Sequence, residues 1–528
     1  MTGLLLPDNV VQFRAIPYAT IPARFKHSVL LDSLSSNSPR DFTKHGYACP
    51  QTFGPESAGG GPFPDYVYPP PTDEFECLIL QINVPLACLK EKWEKLPVLV
   101  YVHGGGFMLG KIDQQHNTAL MVEQSILDSQ PIIGASIQYR FGALGMLFTP
   151  EADRNPGLYD QRNALLWIQK FISGFGGNPE EVTVFGESAG SLSICSHMLA
   201  PPPSSGPLFK RAVFMSGIIG PMTCPTPKDE AEALYEEFLN ALDINERGPA
   251  SLEKLRSLPI QAVVDATAKL SDMGYFWAPT VDDEWFPKNI TWDCSPELLA
   301  DCPWVDEVVI GSTRFEGITL AGIFTGVAPA AFLDGITAQL GAKNAGKVAK
   351  AYNITPTMDP NLFYTQATRW VGDVIFEGST HAFSEYLAKH SSKKVYRYVF
   401  DVRNPFPGHP AYQTPHHWVD KYFVFKVHQF RYPSQRLKDI STKHAQLWID
   451  FTNGKEPWSP YTDTGDDQKI IMVADERDGW VERNVKADEE ISELSNKRVE
   501  ELWDSWSDQK GKRFLAMKIE PLMKRKFT

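Results

Sequence analysis

The 528 residues, 43% hydrophobic and 22% charged with 13 Trp and 31 Phe, supply ample apolar surface for a large folded core and exclude a disordered chain. The formal net charge of −13 repels phosphates at long range and speaks against a general role in binding nucleic acid or an anionic membrane surface. No stretch is apolar over the roughly 20 residues a membrane span needs, and seven scattered cysteines lack metal-ligand spacing, so neither a zinc site nor a dense disulfide framework is indicated; separately, no metal or organic cofactor is expected.

In chain order, the start from Met1 to Asp8 has no basic segment and too short an apolar run for a secretory leader. The chain as given therefore reads as cytoplasmic, although a secreted protein trimmed of its leader would begin the same way. Pro50 to Glu76 is crowded with Gly and Pro and reads as a long irregular loop, equally a lid or binding wall and an excursion without a role. From Leu96 to Gly217, apolar β-branched runs alternate with helical patterns, the signature of a parallel sheet with crossover helices. Strands are expected at Val98 to Val102, Ile132 to Tyr139, Val182 to Phe185 and Ala212 to Met215, with a helix over Asp160 to Ile172. Further strands are expected at Val308 to Ile310 and Val395 to Phe400, separated by helical insertions, and a helical tail over Ile491 to Trp506, packed on the core. The fold class is α/β, with residues 1–528 forming one catalytic domain; the oligomeric state is left open.

Two motifs carry chemistry. Gly186-Glu187-Ser188-Ala189-Gly190 sits between the strand Val182 to Phe185 and a helical pattern over Ser191 to Leu199. A serine there occupies a strained turn, and glycines two residues either side let strand and helix approach. The pattern arises by chance about 0.2 times in a chain of this size, so its strand-turn-helix context decides the matter. His103-Gly104-Gly105-Gly106-Phe107 directly follows the strand Val98 to Val102. Acyl transfer builds charge on a carbonyl oxygen, and backbone N–H groups meet it only where no side chain intervenes. The amides of Gly105, Gly106 and Ala189 are therefore the expected oxyanion hole, with His103 fixing the glycine loop.

With these motifs, Phe13 to Ala19, Tyr139-Arg140, and Asn155 to Asp160 continuing to Pro179 resemble blocks of the type-B carboxylesterase family, which includes the cholinesterases. They cover the first two-fifths of the chain densely and the rest thinly. The resemblance implies an α/β-hydrolase fold, a mostly parallel sheet flanked by helices, and a Ser, Glu, His triad in chain order. Ser188 is then the nucleophile, Glu316 in Gly311 to Gly317 the orienting carboxylate, and His417 the base. His417 is preferred to His416 because the family spacing from it meets Asp420, Phe423 and Phe425; His409 and His416 are read as loop residues. Glu187, next to the nucleophile on a tight turn, is expected not to reach the far side of His417; it supports the site from outside the triad or is simply buried.

The implied activity is hydrolysis of a small-molecule ester through a covalent acyl-enzyme. An amide or lactone substrate, acyl transfer, and a non-catalytic adhesion relative are the competing readings, the last disfavoured because nucleophile, acid, base and glycine loop are all present. Pro50 to Glu76 contains Phe63, Tyr66 and Tyr68 but no Trp where cholinesterases place one for a quaternary ammonium, so cholinesterase activity is disfavoured. These rings are expected to pack on the loop's own prolines. Asp283 stands where the family usually has glycine, leaving a pocket wall uncertain. The resemblance also pairs Cys49 with Cys77 as a disulfide; without a leader, thiols are favoured. Asn289-Ile290-Thr291 and Asn353-Ile354-Thr355 are glycosylation patterns only on a secretory route.

Overall fold

The computed structural model describes residues 1–33, 41–53, 67–90, 94–286, 290–492 and 496–511. Phe63, Tyr66, Asn289 and much of the Pro50 to Glu76 loop lie outside them.

Within the described residues the strands are β1 (Leu4–Leu5), β2 (Val10–Pro17), β3 (Ala19–Thr20), β4 (Val29–Leu30), β5 (Ile79–Pro85), β6 (Leu96–Val102), β7 (Ile133–Ile137), β8 (Gly177–Glu187), β9 (Arg211–Met215), β10 (Glu307–Thr313), β11 (Lys394–Asp401), β12 (Ile470–Asp475) and β13 (Gly479–Asn484). All but the small β3–β4 pair join one 11-stranded sheet, ordered β1-β2-β5-β7-β6-β8-β9-β10-β11-β12-β13. From β7 to β12 every neighbour is parallel, whereas β1, β2 and β5 on one side and β13 on the other are antiparallel.

The expected strands lie within the observed ones except Ile132 to Tyr139, which is shortened to Ile133–Ile137, and their unbroken apolar runs have a physical cause. Successive side chains on a strand face opposite sides of the sheet, and here both sides are covered. Val98, Val100 and Val102 enter one core, with Trp167 and Ile168 of the helix Pro156–Phe171 and Ile194 and Met198 of the helix Ala189–Leu199. Leu99 and Tyr101 enter the other, with Met121 and Val122 of the helix Ala119–Leu127 and Trp448 and Phe451 of the helix Gln435–Thr452. The same division recurs in β9, where Ala212 and Phe214 face one core and Val213 and Met215 the other.

Three further boundaries differ from expectation. β8 begins at Gly177, because Asn178 and Pro179 enter a strand that composition alone would start later. The helix expected from Asp160 begins at Pro156, where a missing N–H costs nothing in the first turn, after Asn155 in a left-handed conformation (φ 49°). The expected tail is divided between a helix ending at Ile491 and another over Asn496–Asp504. The second helix does pack on the core: Leu502 and Trp506 are buried, the Trp503 ring lies 5.2 Å from that of Trp292, and Arg498 Nε donates to Asp373 Oδ2 at 2.8 Å.

Candidate active site

The parallel strands deliver the motif residues to one end of the sheet. Gly104 to Gly106 follow β6, Ser188 follows β8, and Glu316 follows β10; His417 lies between β11 and β12. In an open α/β sheet, the crevice beyond the strands' carboxyl ends is where ligands bind.

Ser188 closes β8 at φ 58°, ψ −124°, a conformation L side chains rarely adopt, and immediately begins the helix Ala189–Leu199. Its N–H donates to Met215 O at 2.9 Å and its carbonyl accepts from Leu192 N at 3.0 Å, so backbone on both sides holds the turn. The flanking glycines are sterically required. A Cβ on Gly186 would lie 2.5 Å from Gly190 C, one on Gly190 2.1 Å from Val102 O, and one on Gly217 2.5 Å from Ser188 O.

The glycine loop presses on this elbow. A Cβ on Gly104 would approach Glu187 O to 2.4 Å and Ser188 Cβ to 3.2 Å. Gly105 (φ 111°) and Gly106 (φ 62°) are left-handed, and a Cβ on Gly105 would lie 2.1 Å from Leu109 O. Among the described residues, the amides of Gly105, Gly106 and Ala189 have no protein acceptor. His103 braces the loop from beneath: its ring stacks on Tyr139 at 4.3 Å, and Tyr139 Oη donates to His103 O at 2.7 Å. Burial lowers the His103 ring to about 3, so it stays neutral.

Glu316 and His417 meet directly, with His417 Nδ1 donating to Glu316 Oε2 at 2.6 Å and both side chains buried. The other carboxylate oxygen accepts from Ser216 Oγ and from Thr313 N, each at 2.6 Å. His416 is already committed elsewhere: Nδ1 donates to His417 O, Nε2 accepts from Asn404 Nδ2 at 3.0 Å, and burial lowers the ring to about 3. His416 also stacks on His409 at 5.0 Å and 12°, while the hydrogen bond to Glu316 belongs to His417.

One expectation is corrected. Glu187 does reach the far side of the ring: its Oε1 lies 3.1 Å from His417 Nε2, an ion-pair distance without hydrogen-bond alignment. Glu187 is the last residue of β8 and is buried, so its carboxylate meets the ring from the end of that strand. Among the described residues, no hydrogen bond joins Ser188 Oγ to His417. Burial alone would lower the His417 ring, but the Glu187 and Glu316 carboxylates outweigh it and raise its pKa above the usual value.

Ser216, Thr313, Phe376 and Lys421 were missed by sequence reasoning. Ser216 could have been found by its place directly after β9, where a polar residue ends an apolar strand. Phe376 carried no signal. It stacks on His417 at 4.1 Å and 22° because a π-helical turn, Asp373–Glu377, inserts it there. The same turn brings Glu377 to Ser312 and Arg397.

Other expectations fall as follows. Tyr68 meets Phe53 edge-on at 5.9 Å, and the Lys111 ammonium lies 5.3 Å from its ring, contacts beyond the loop's prolines. Asp283 adopts φ 63°, the conformation in which glycine is at ease, and its carboxylate pairs with Lys228 on the surface. Cys49 and Cys77 stand as buried thiols and not as a disulfide, and Cys49 Sγ donates to Tyr139 O at 3.2 Å. No single described helix is long and apolar enough to cross a membrane.

The mostly parallel sheet, its covering helices and the serine elbow after β8 define an α/β-hydrolase. Residues 3–500 match the model of the carboxylesterase family. The chain is 30% identical over 437 residues to para-nitrobenzyl esterase of Bacillus subtilis, covering 79% of this chain and 80% of that one. It is 28% identical over 468 residues to lipase 1 of Yarrowia lipolytica, covering 85% of each. A solved PNB esterase superposes with a TM-score of 0.73 at 25% identity, over 93% of this chain and 97% of that one. The protein belongs to the carboxylesterase family and is a hydrolase of the carboxylesterase type.

Proposed function

We propose that this protein hydrolyses small-molecule carboxylic esters, with Ser188 as nucleophile, His417 as general base and Glu316 as its orienting carboxylate. The observation that carries the reading is the buried 2.6 Å hydrogen bond between His417 Nδ1 and Glu316 Oε2 beside the strained Ser188 elbow. With Nδ1–H tied to Glu316, Nε2 is the basic nitrogen. A substrate carbonyl entering against the glycine loop draws the Ser188 hydroxyl to Nε2, a contact that commonly tightens only in the Michaelis complex.

Ser188 Oγ then attacks, His417 takes its proton, and the new oxyanion accepts hydrogen bonds from the acceptor-free amides of Gly105, Gly106 and Ala189. Each donor is worth about 3 kcal/mol in the transition state. His417 passes its proton to the departing alcohol, and water repeats the sequence to release the acid. Glu316 stays ionised throughout and stabilises the imidazolium.

A fluorophosphonate probe is expected to label the protein and to lose its target in Ser188→Ala; labelling that persists in the variant contradicts the assignment. Aryl esters of graded acyl length, run beside matching amides and lactones, test the substrate class. Faster turnover of amides, or transfer to an added alcohol in place of hydrolysis, would replace this reading.

A further inference from the structure

Lys421, in the short helix Val419–Val424 that follows His417, places its ammonium 3.1 Å from Glu187 Oε2, while Glu187 Oε1 lies 3.1 Å from His417 Nε2. The carboxylate is buried and Lys421 largely so, which leaves the pair weakly screened. We propose that Lys421 is a positioning residue that acts through Glu187: it fixes that carboxylate beside His417 and offsets its charge, so that the ring is available as a neutral base near neutral pH. The inference rests on the proposed role of His417.

The charges around the ring explain why such an offset is needed. Glu187 faces Nε2 from the end of β8, Glu316 faces Nδ1 from beyond β10, and Asp420 is buried in the same helix as Lys421, taking a 3.0 Å hydrogen bond from Tyr398 Oη of β11. Phe376 covers one ring face without charge. His416, the chain neighbour, and His103, behind the glycine loop, are both held neutral by burial. Farther out, Tyr101 of β6 is kept protonated by burial and by Glu187, and His116 is balanced by Asp113, which also pairs with Lys111. Two carboxylates touching one imidazole would otherwise hold it as imidazolium, unable to accept a proton from Ser188. Lys421 opposes them, in keeping with its lowering influence on the ring.

The test is kcat/KM for a nitrophenyl ester from about pH 5 to about pH 9, because its acid limb reports protonation of the base in the free enzyme. Lys421→Met is expected to move that limb up by about one pH unit, an approximately tenfold loss near pH 6 relative to the variant's own plateau. Lys421→Arg keeps a cation on Glu187 and is expected to restore the limb, while Glu187→Gln moves it down. A Lys421→Met limb that stays in place or moves down overturns the inference. Should Lys421→Met not fold, Lys421→Gln carries the same expectation and the same refutation. A merely structural role would lower the plateau or the melting temperature without moving the limb. Ser188→Ala keeps the two readings apart: persistent labelling there refutes the catalytic assignment, whereas an unmoved limb in an enzyme that still depends on Ser188 refutes only the part given to Lys421.

Discussion

Single side chains set the chemistry, and Glu316 is the most constrained of them. It accepts hydrogen bonds from His417, Ser216 and Thr313 while buried, an arrangement suited to an ionised carboxylate. Glu316→Gln keeps the shape but permits the wrong tautomer of His417, and kcat is expected to fall roughly 10³- to 10⁴-fold with KM little changed; a loss below tenfold in steady-state kinetics would remove Glu316 from the mechanism. Asp420 makes a second prediction. Burial, then Glu187 and Glu316, raise its pKa to about 7. The folded protein therefore keeps a proton that the unfolded chain releases near pH 4, so this group's contribution to stability is present below about pH 4 and is lost as pH rises to about 7. Asp420→Asn, which cannot ionise, is expected to gain in melting temperature relative to the parent across that window and to hold the gain above it. A difference that is constant or shrinks with pH contradicts the assignment. Ser188 and the glycines were legible because backbone sterics restrict which residues can stand there. Glu187 was misread and Lys421 missed because their meeting depends on the path of a helix more than 200 positions downstream, which no local pattern encodes.

Elements bring those residues together only where backbone approaches backbone. Gly105→Ala would drive its Cβ toward Leu109 O from a left-handed φ, displacing the amides offered to the oxyanion. Its expected signature is a drop in kcat of about 10²- to 10³-fold together with a lowered melting temperature, since a backbone oxygen must give way to the new Cβ, and a kcat within threefold of the parent would show that these amides do not serve the transition state. The interior strands were legible because both faces of each are buried, leaving an unbroken apolar run. The outer strands were not. β2 buries Gln12, whose amide donates to Asn83 Oδ1 of β5 at 2.9 Å, and Asn83 Nδ2 in turn donates to Thr118 Oγ1 at 2.8 Å. A polar ladder of this kind satisfies its groups internally, and the pairing that does so is absent from the local sequence. The π-helical turn that presents Phe376 was equally hidden, since its extra residue follows from packing and not from periodicity.

Among the described residues, two large apolar cores lie on either side of one sheet, with a small cluster around Trp285 beside them, and the helix Asn496–Asp504 packs on the first core. Leu502 is fully buried there, so Leu502→Ala is expected to cost about 2–5 kcal/mol by chemical denaturation; a cost under 0.5 kcal/mol would mean that the segment is a dispensable appendage. Buried charge constrains the helix Pro156–Phe171. Arg140 donates twice to Asp160, with Nε and Nη2 each 2.8 Å from a carboxylate oxygen and both residues buried. Their residue types stood in the blocks that signalled the family, but their pairing emerges only when the helix Pro156–Phe171 lies across the sheet.

The hydrogen bond from His417 to Glu316 joins positions 101 apart, and that from Ser216 to Glu316 joins positions 100 apart. On the proposed roles, His417 must therefore be made before Ser188 can have its base, and a product that ends short of position 417 is expected to be chemically silent however well its early strands have formed. Turnover would thus report the meeting of distant segments, while helical content reports only local structure.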